Sequence, residues 1–136
     1  MRNIAVFLAA LFCLIAQPLS ADVIEGADEQ VEKIANPVLE VLLECLEKND
    51  YQKYLSQADE AHRDLLTRDK YIQANTQVKE KMGKYISREY IGFLNQSNMT
   101  VALWKARFTK IDDDVLIKLV INRKGDKYYA AGMWFQ

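Results

Sequence analysis

The chain is poor in the residues that usually carry chemistry. Its 136 residues hold two cysteines, one histidine, two prolines and five glycines. Cys13 lies in an N-terminal apolar run, which leaves Cys45 alone in the remainder, so that part can form no internal disulfide and no cysteine zinc site. A single histidine, His62, excludes a polyhistidine metal centre, and no phosphate-binding glycine loop, repeat or low-complexity stretch is present. Charge of one sign is also missing. With 18 basic and 19 acidic residues there is no cationic excess of the kind that nonspecific nucleic-acid binding requires.

What is present begins with Met1-Arg2-Asn3 and the apolar run Ile4 to Ala16. That run is too short for a membrane span, which needs roughly 20 residues. Gln17-Pro18-Leu19-Ser20-Ala21 supplies a helix breaker and a small final residue, so residues 1–21 read as a secretory signal cleaved after Ala21. Phe12 stands where a lipid-attachment site at Cys13 would need a small residue, and no lipid anchor is expected. Residues 22–136 then form one domain with 17 basic and 19 acidic residues. With no disulfide available, a bacterial periplasm or envelope suits it better than an animal extracellular space.

Apolar residues Val31, Ile34, Ala35, Val38, Leu42, Cys45 and Leu46 fall three and four apart, predicting a helix from Asp28 that either kinks at Pro37 or restarts with Asn36 as cap. Asn49-Asp50 ends it, and Asp50 caps a short helix carrying Tyr51, Tyr54 and Leu55. A third piece, Asp59 to Leu66, places His62 among Glu60, Arg63 and Asp64, as an exposed residue would be. Thr67 caps a fourth helix that Gly83 stops. From there the period changes to two. Strands are predicted over Tyr85–Leu94, Met99–Lys110, Val115–Arg123 and Lys127–Phe135, joined by Asn95-Gln96-Ser97-Asn98, by two of the three residues Asp112-Asp113-Asp114, and by Lys124-Gly125-Asp126. Gly92 and Gly132 mark bends or bulges inside strands. Helices followed by an antiparallel meander define an α+β fold, with the helices on one sheet face.

Two or three N-terminal helices and a short helix leading to "KMGKYISREYIGFLNQ", then "TVALWKARFTKIDDDVLIKLVI" and "GDKYYAAGMWFQ", resemble small secreted bacterial proteins of the nuclear-transport-factor-type (cystatin-like) superfamily. The resemblance runs from Asp28 to Phe135 and implies a cone, a curved four-stranded antiparallel sheet wrapped around a helix. The superfamily includes isomerases, dehydratases, binders and noncatalytic dimerisation modules. The Asp/His constellations of its enzymes have no counterpart in this chain.

Alternation assigns two faces. Trp104, Ala106 and Phe108 share one with Ile117, Leu119 and Ile121, continued by Tyr129, Ala131, Met133 and Phe135 if the last turn has three residues. Trp104, Phe108, Tyr129 and Met133 are then either core or the lining of an apolar pocket for a small molecule. Arg88, Tyr90, Lys105, Arg107, Lys118 and Trp134 fall on the other face, with Arg88 near Lys105 and Arg107 near Lys118. Like charges opposite each other call for solvent or an anion, so this face is the expected contact surface for a protein partner or a second copy. A two-residue final turn would move Tyr128 and Trp134 to the core side. Cys45 on an apolar helix stripe reads as buried rather than nucleophilic, and the three aspartates read as a solvated turn rather than a calcium loop. The expectation is a noncatalytic interaction module with no metal and no cofactor. A small-molecule binder is the alternative, and an enzyme is least supported because no base, nucleophile and orienting group assemble.

Overall fold

The computed structural model describes residues 23–24 and 26–136. The expected signal, its cleavage point and Cys13 lie outside them. Four helices, α1 (Asp28–Lys48), α2 (Tyr51–Gln57), α3 (Glu60–Arg63) and α4 (Arg68–Met82), precede four strands, β1 (Tyr85–Gln96), β2 (Met99–Phe108), β3 (Ile111–Lys124) and β4 (Lys127–Phe135). The strands form one antiparallel sheet in the order β1-β2-β3-β4. This is the α+β arrangement expected.

Helix α1 runs unbroken through Pro37, which sits on its exposed side. Neither a restart at Asn36 nor its use as a cap occurs; Asn36 Oδ1 instead accepts a hydrogen bond from Arg88 Nε at 2.9 Å. The buried stripe of α1 is Val31, Ala35, Val38, Leu39, Leu42, Cys45 and Leu46, with Leu43 beside it. Asn49 ends the helix in the left-handed region, at φ 55°. Asp50 and Thr67 cap α2 and α4 by accepting from Lys53 N and Lys70 N.

Three residues one turn apart on α4 close the end of α1. Tyr71 donates its hydroxyl to Cys45 O at 2.7 Å, Asn75 donates Nδ2 to Leu46 O at 2.8 Å, and Lys79 Nζ reaches Glu47 O at 3.4 Å. A helix end leaves its last carbonyls short of intrahelical partners. Cys45 O also accepts from Asn49 N and Asp50 N, while Leu46 O and Glu47 O are met by side chains from successive turns of α4. Gly83 then lets the chain pass close under the β2–β3 turn. Its φ is +80°, and a Cβ would lie 2.2 Å from Thr109 Oγ1, so no larger residue fits without displacing that turn.

Two of the three hairpins are tighter than the sequence suggested, and the β2–β3 turn is displaced. Ser97 and Asn98, both at positive φ, make the β1–β2 turn, Thr109-Lys110 make the β2–β3 turn, and Gly125-Asp126 make the β3–β4 turn. Positive φ at both central residues matches the twist of a two-residue hairpin. The three aspartates are not a turn. They lie within β3, where Asp112 to Asp114 bulge opposite the single residue Arg107.

Because this bulge adds an even number of residues, the inner face keeps its expected members. Trp104 pairs with Ile117, Ala102 with Leu119 and Thr100 with Ile121, and most of them join Met133, Phe135, Phe108 and the helix stripes in the main core. Trp104 is 1% exposed and Met133 0%.

Candidate functional site

Single-residue bulges decide the other face. In β1, Tyr90 pairs with Trp104 but Gly92 with Leu103, so Ile91 is an extra residue, and the phase of alternation reverses there. Gly92, at φ +147°, supplies a backbone conformation that other residues rarely adopt. As a result Arg88, opposite Ala106, and Tyr90 stand on the inner side, not on the outer face where simple alternation puts them. Arg88 lies under α1, bonded to Asn36 and to Tyr85 Oη and paired with Glu40 at 2.6 Å. Tyr90 packs edge-on against Trp104 and donates its hydroxyl to Asp28 at 3.2 Å. Burial is the largest influence raising the tyrosine's pKa, with the Asp28 carboxylate adding to it.

In β4 the two-residue turn shifts the register, and an extra residue near Ala131 shifts it back: Ile121 pairs with Ala130, and Val120 with Gly132. Tyr128 accordingly packs against the main core while Ala131 faces outward. Tyr129, expected inside, lies at the β4 edge with the Arg63 guanidinium over its ring at 5.9 Å. Trp134 keeps its outward position. Both strand glycines flank bulges.

The outer face therefore has two halves. One is ion-paired: Lys105 meets Glu89 at 3.4 Å, and Arg107 meets Asp114 at 3.4 Å. The expected juxtapositions of Arg88 with Lys105 and of Arg107 with Lys118 do not occur, since Lys105 is opposite Glu89 and Lys118 is between Leu103 and Trp134. The other half is a small apolar cluster of Met99, Val101, Val120 and Ala131, with Leu103 and Trp134 packed against it. No residue of a described helix joins this cluster. Leu94, opposite Val101 on the β1 edge, is 49% exposed. Lys118 forms no ion pair with a described residue and lies at the boundary of the two halves.

Of the expected pocket residues, Trp104 and Met133 are closed into the core and Tyr129 is at the edge. Phe108 borders an opening. It lies with Tyr85 and Phe135 in a cleft of about 750 Å³ between the C-terminal halves of α1 and α4 and the ends of the strands. No sequence pattern announced this cleft, because its lining comes from five separate elements and two turns.

His62 is 1% exposed, which corrects its reading as a surface residue. Asp59 N donates to Ala130 O at 2.8 Å and Asp59 Oδ2 accepts from Asn122 Nδ2, fastening the start of α3 to the β4 edge and turning His62 inward. Cys45 is buried on α1, and desolvation, its largest influence, pushes the thiol pKa up, away from what a nucleophile needs. Among the described residues no cluster of three or more His, Cys, Asp or Glu could hold a metal ion, and no helix is long and apolar enough to cross a membrane. The chain matches no family model, no curated protein and no solved structure.

Proposed function

We propose that the chain is a secreted, periplasmic, noncatalytic interaction module that works through the outer sheet face, and that the occupant of this face is a second copy of the chain. One observation carries the reading: Met99, Val101, Val120 and Ala131 gather on the side of the sheet opposite the helices as a cluster separate from the main core, and Leu103 and Trp134 packed on it are its partly exposed members. Apolar side chains at the centre of a face, bordered by charges, have the anatomy of a contact surface. A second copy fits because the bordering half carries both signs, Lys105 and Arg107 beside Glu89 and Asp114, so the face is compatible with its own image. The raised thiol of Cys45 and its place on the apolar stripe of α1 support a noncatalytic role. Helices followed by a four-stranded meander support the cystatin-like resemblance.

Sedimentation equilibrium on residues 22–136 tests the reading. A dimer is expected, and Trp134→Asp and Val120→Lys are each expected to return it to monomer with the fold intact. A wild-type chain that stays monomeric to high micromolar concentration, or a dimer indifferent to both substitutions, would remove the outer face from consideration.

A further inference from the structure

The cleft at the far end of the sheet is independent of the outer face and has its own chemistry. Its floor is apolar, built from Leu43 and Leu46 of α1, Val78 of α4, and Tyr85, Phe108 and Phe135 at the strand ends. The rings are locked edge-on, Tyr85 to Phe108 at 5.9 Å and Phe108 to Phe135 at 5.8 Å. A volume of about 750 Å³ lies within the range of small-molecule sites.

The charges around the floor are not balanced. On the α1 side Glu40 is committed to Arg88 at 2.6 Å and Glu44 to Lys48 at 2.7 Å, which leaves Glu47 as the one lining carboxylate without an ion pair to a described residue. On the opposite side Lys79, Lys84 and Lys110 line the cleft without an ion pair to any described residue. The ammonium groups of Lys79 and Lys110 reach only backbone carbonyls, Glu47 O and Glu80 O, each at 3.4 Å. Three cations against the single carboxylate of Glu47 leave a surplus of positive charge beside an apolar floor that a bound anion would relieve.

Asn75 adds an independent sign. It lines the cleft and is 1% exposed. Its Nδ2 donates both to Leu46 O and to Asn49 Oδ1, which fixes the orientation of the amide and leaves Oδ1 with no donor. A buried acceptor without a partner is costly, and a ligand that carries a donor beside its anionic head would gain from it.

We propose that this cleft binds an anionic amphiphile, a carboxylate or phosphate head on an apolar body, with the head at Lys79, Lys84 and Lys110 and the body on the Leu43–Phe108–Phe135 floor. Head and body are recognised by different walls, so removing either charge or apolar length weakens binding. The same chemistry is offered by a free fatty acid and by the lipid of a membrane surface.

Calorimetric titration with dodecanoate, its methyl ester and dodecylammonium separates the contributions. Dodecanoate is expected to bind about tenfold tighter than either of the others. Lys84→Glu and Lys110→Glu, both at exposed positions, are each expected to weaken dodecanoate about fivefold or more without changing the melting temperature. Val78→Trp, which fills the floor, is expected to abolish binding; if that variant does not fold, the lysine variants carry the test alone. Equal affinity for dodecanoate and dodecylammonium, or unchanged affinity in the lysine variants, overturns the proposal. Flotation with anionic phospholipid vesicles distinguishes the sources. Release of vesicle-bound chain by dodecanoate supports an enclosed site, whereas vesicle binding that dodecanoate cannot displace assigns the lysines to a membrane surface and overturns it.

Discussion

Trp104 and Trp134 belong to the same sheet and lie on opposite faces. Trp104 is 1% exposed, flanked by Tyr90 at 5.9 Å and covered by the helices. Trp134 is only partly buried, in a cluster that no described helix residue joins. The first is held by packing from all sides, so its contribution is to the fold. The second is intermediate in exposure and packs on Met99, Val101, Val120 and Ala131, so part of its apolar area remains for another molecule. The difference separates stability from recognition by face.

Five substitutions and a change of pH sharpen that contrast, taken from the largest effect to the smallest. Trp104→Ala opens a cavity in the main core and should cost about 3–5 kcal/mol, read as a fall in denaturation midpoint, while Trp134→Ala measured on monomer should cost under about 1.5 kcal/mol. If the two costs are equal, the faces are not distinct. Trp104→Phe should be mild by comparison, because it also removes a buried indole N–H that has no acceptor. Next, Tyr71→Phe strips a buried hydroxyl from Cys45 O and should cost about 1–2 kcal/mol by chemical denaturation.

The pH response follows. Burial, the largest influence on each, raises the pKa of Tyr54, Tyr71 and Tyr90 above the ordinary value of 10.0. A raised folded pKa means stability that is complete below the unfolded value and lost as pH rises beyond it. The melting temperature should therefore hold to about pH 10 and fall above it, with tyrosinate absorbance rising together with unfolding. All three tyrosines belong to the helix side of the sheet, so dimerisation through the other face should not move this transition. Smallest is Arg107→Ala, which breaks an exposed ion pair to Asp114 and should change stability by about 0–1 kcal/mol.

Helix positions and caps were legible in the sequence because they are local: Asp50, Thr67 and Gly83 act where side chain and backbone meet within a few residues. The face of β2 and β3 was legible too, since the Asp112–Asp114 bulge preserves parity whatever its shape. What failed was β1. One extra residue, Ile91, moved Arg88 and Tyr90 beneath α1, and nothing in a hydrophobic pattern distinguishes an inserted isoleucine from an ordinary strand residue. In β4 two errors cancelled at Trp134 and did not at Tyr129, because the short turn and the extra residue near Ala131 act on different stretches of the strand. Lys105 and Arg107 were placed correctly, but their acidic partners come from a neighbouring strand and from the bulge, so their neutralisation was not readable. Burial of His62 depends on a bridge to the β4 edge, a contact made far along the chain.

The contacts of Tyr71, Asn75 and Lys79 with the last carbonyls of α1 also bear on how the molecule opens. A helix end ordinarily frays by itself, with its final turns sampling open states far more often than its middle. Here the final turn of α1 cannot loosen without releasing α4, so the two form one cooperative unit. Amide protons around Asn49 and Asp50 should exchange with solvent as slowly as those of the middle of α4, and the two groups should be lost together as denaturant is added.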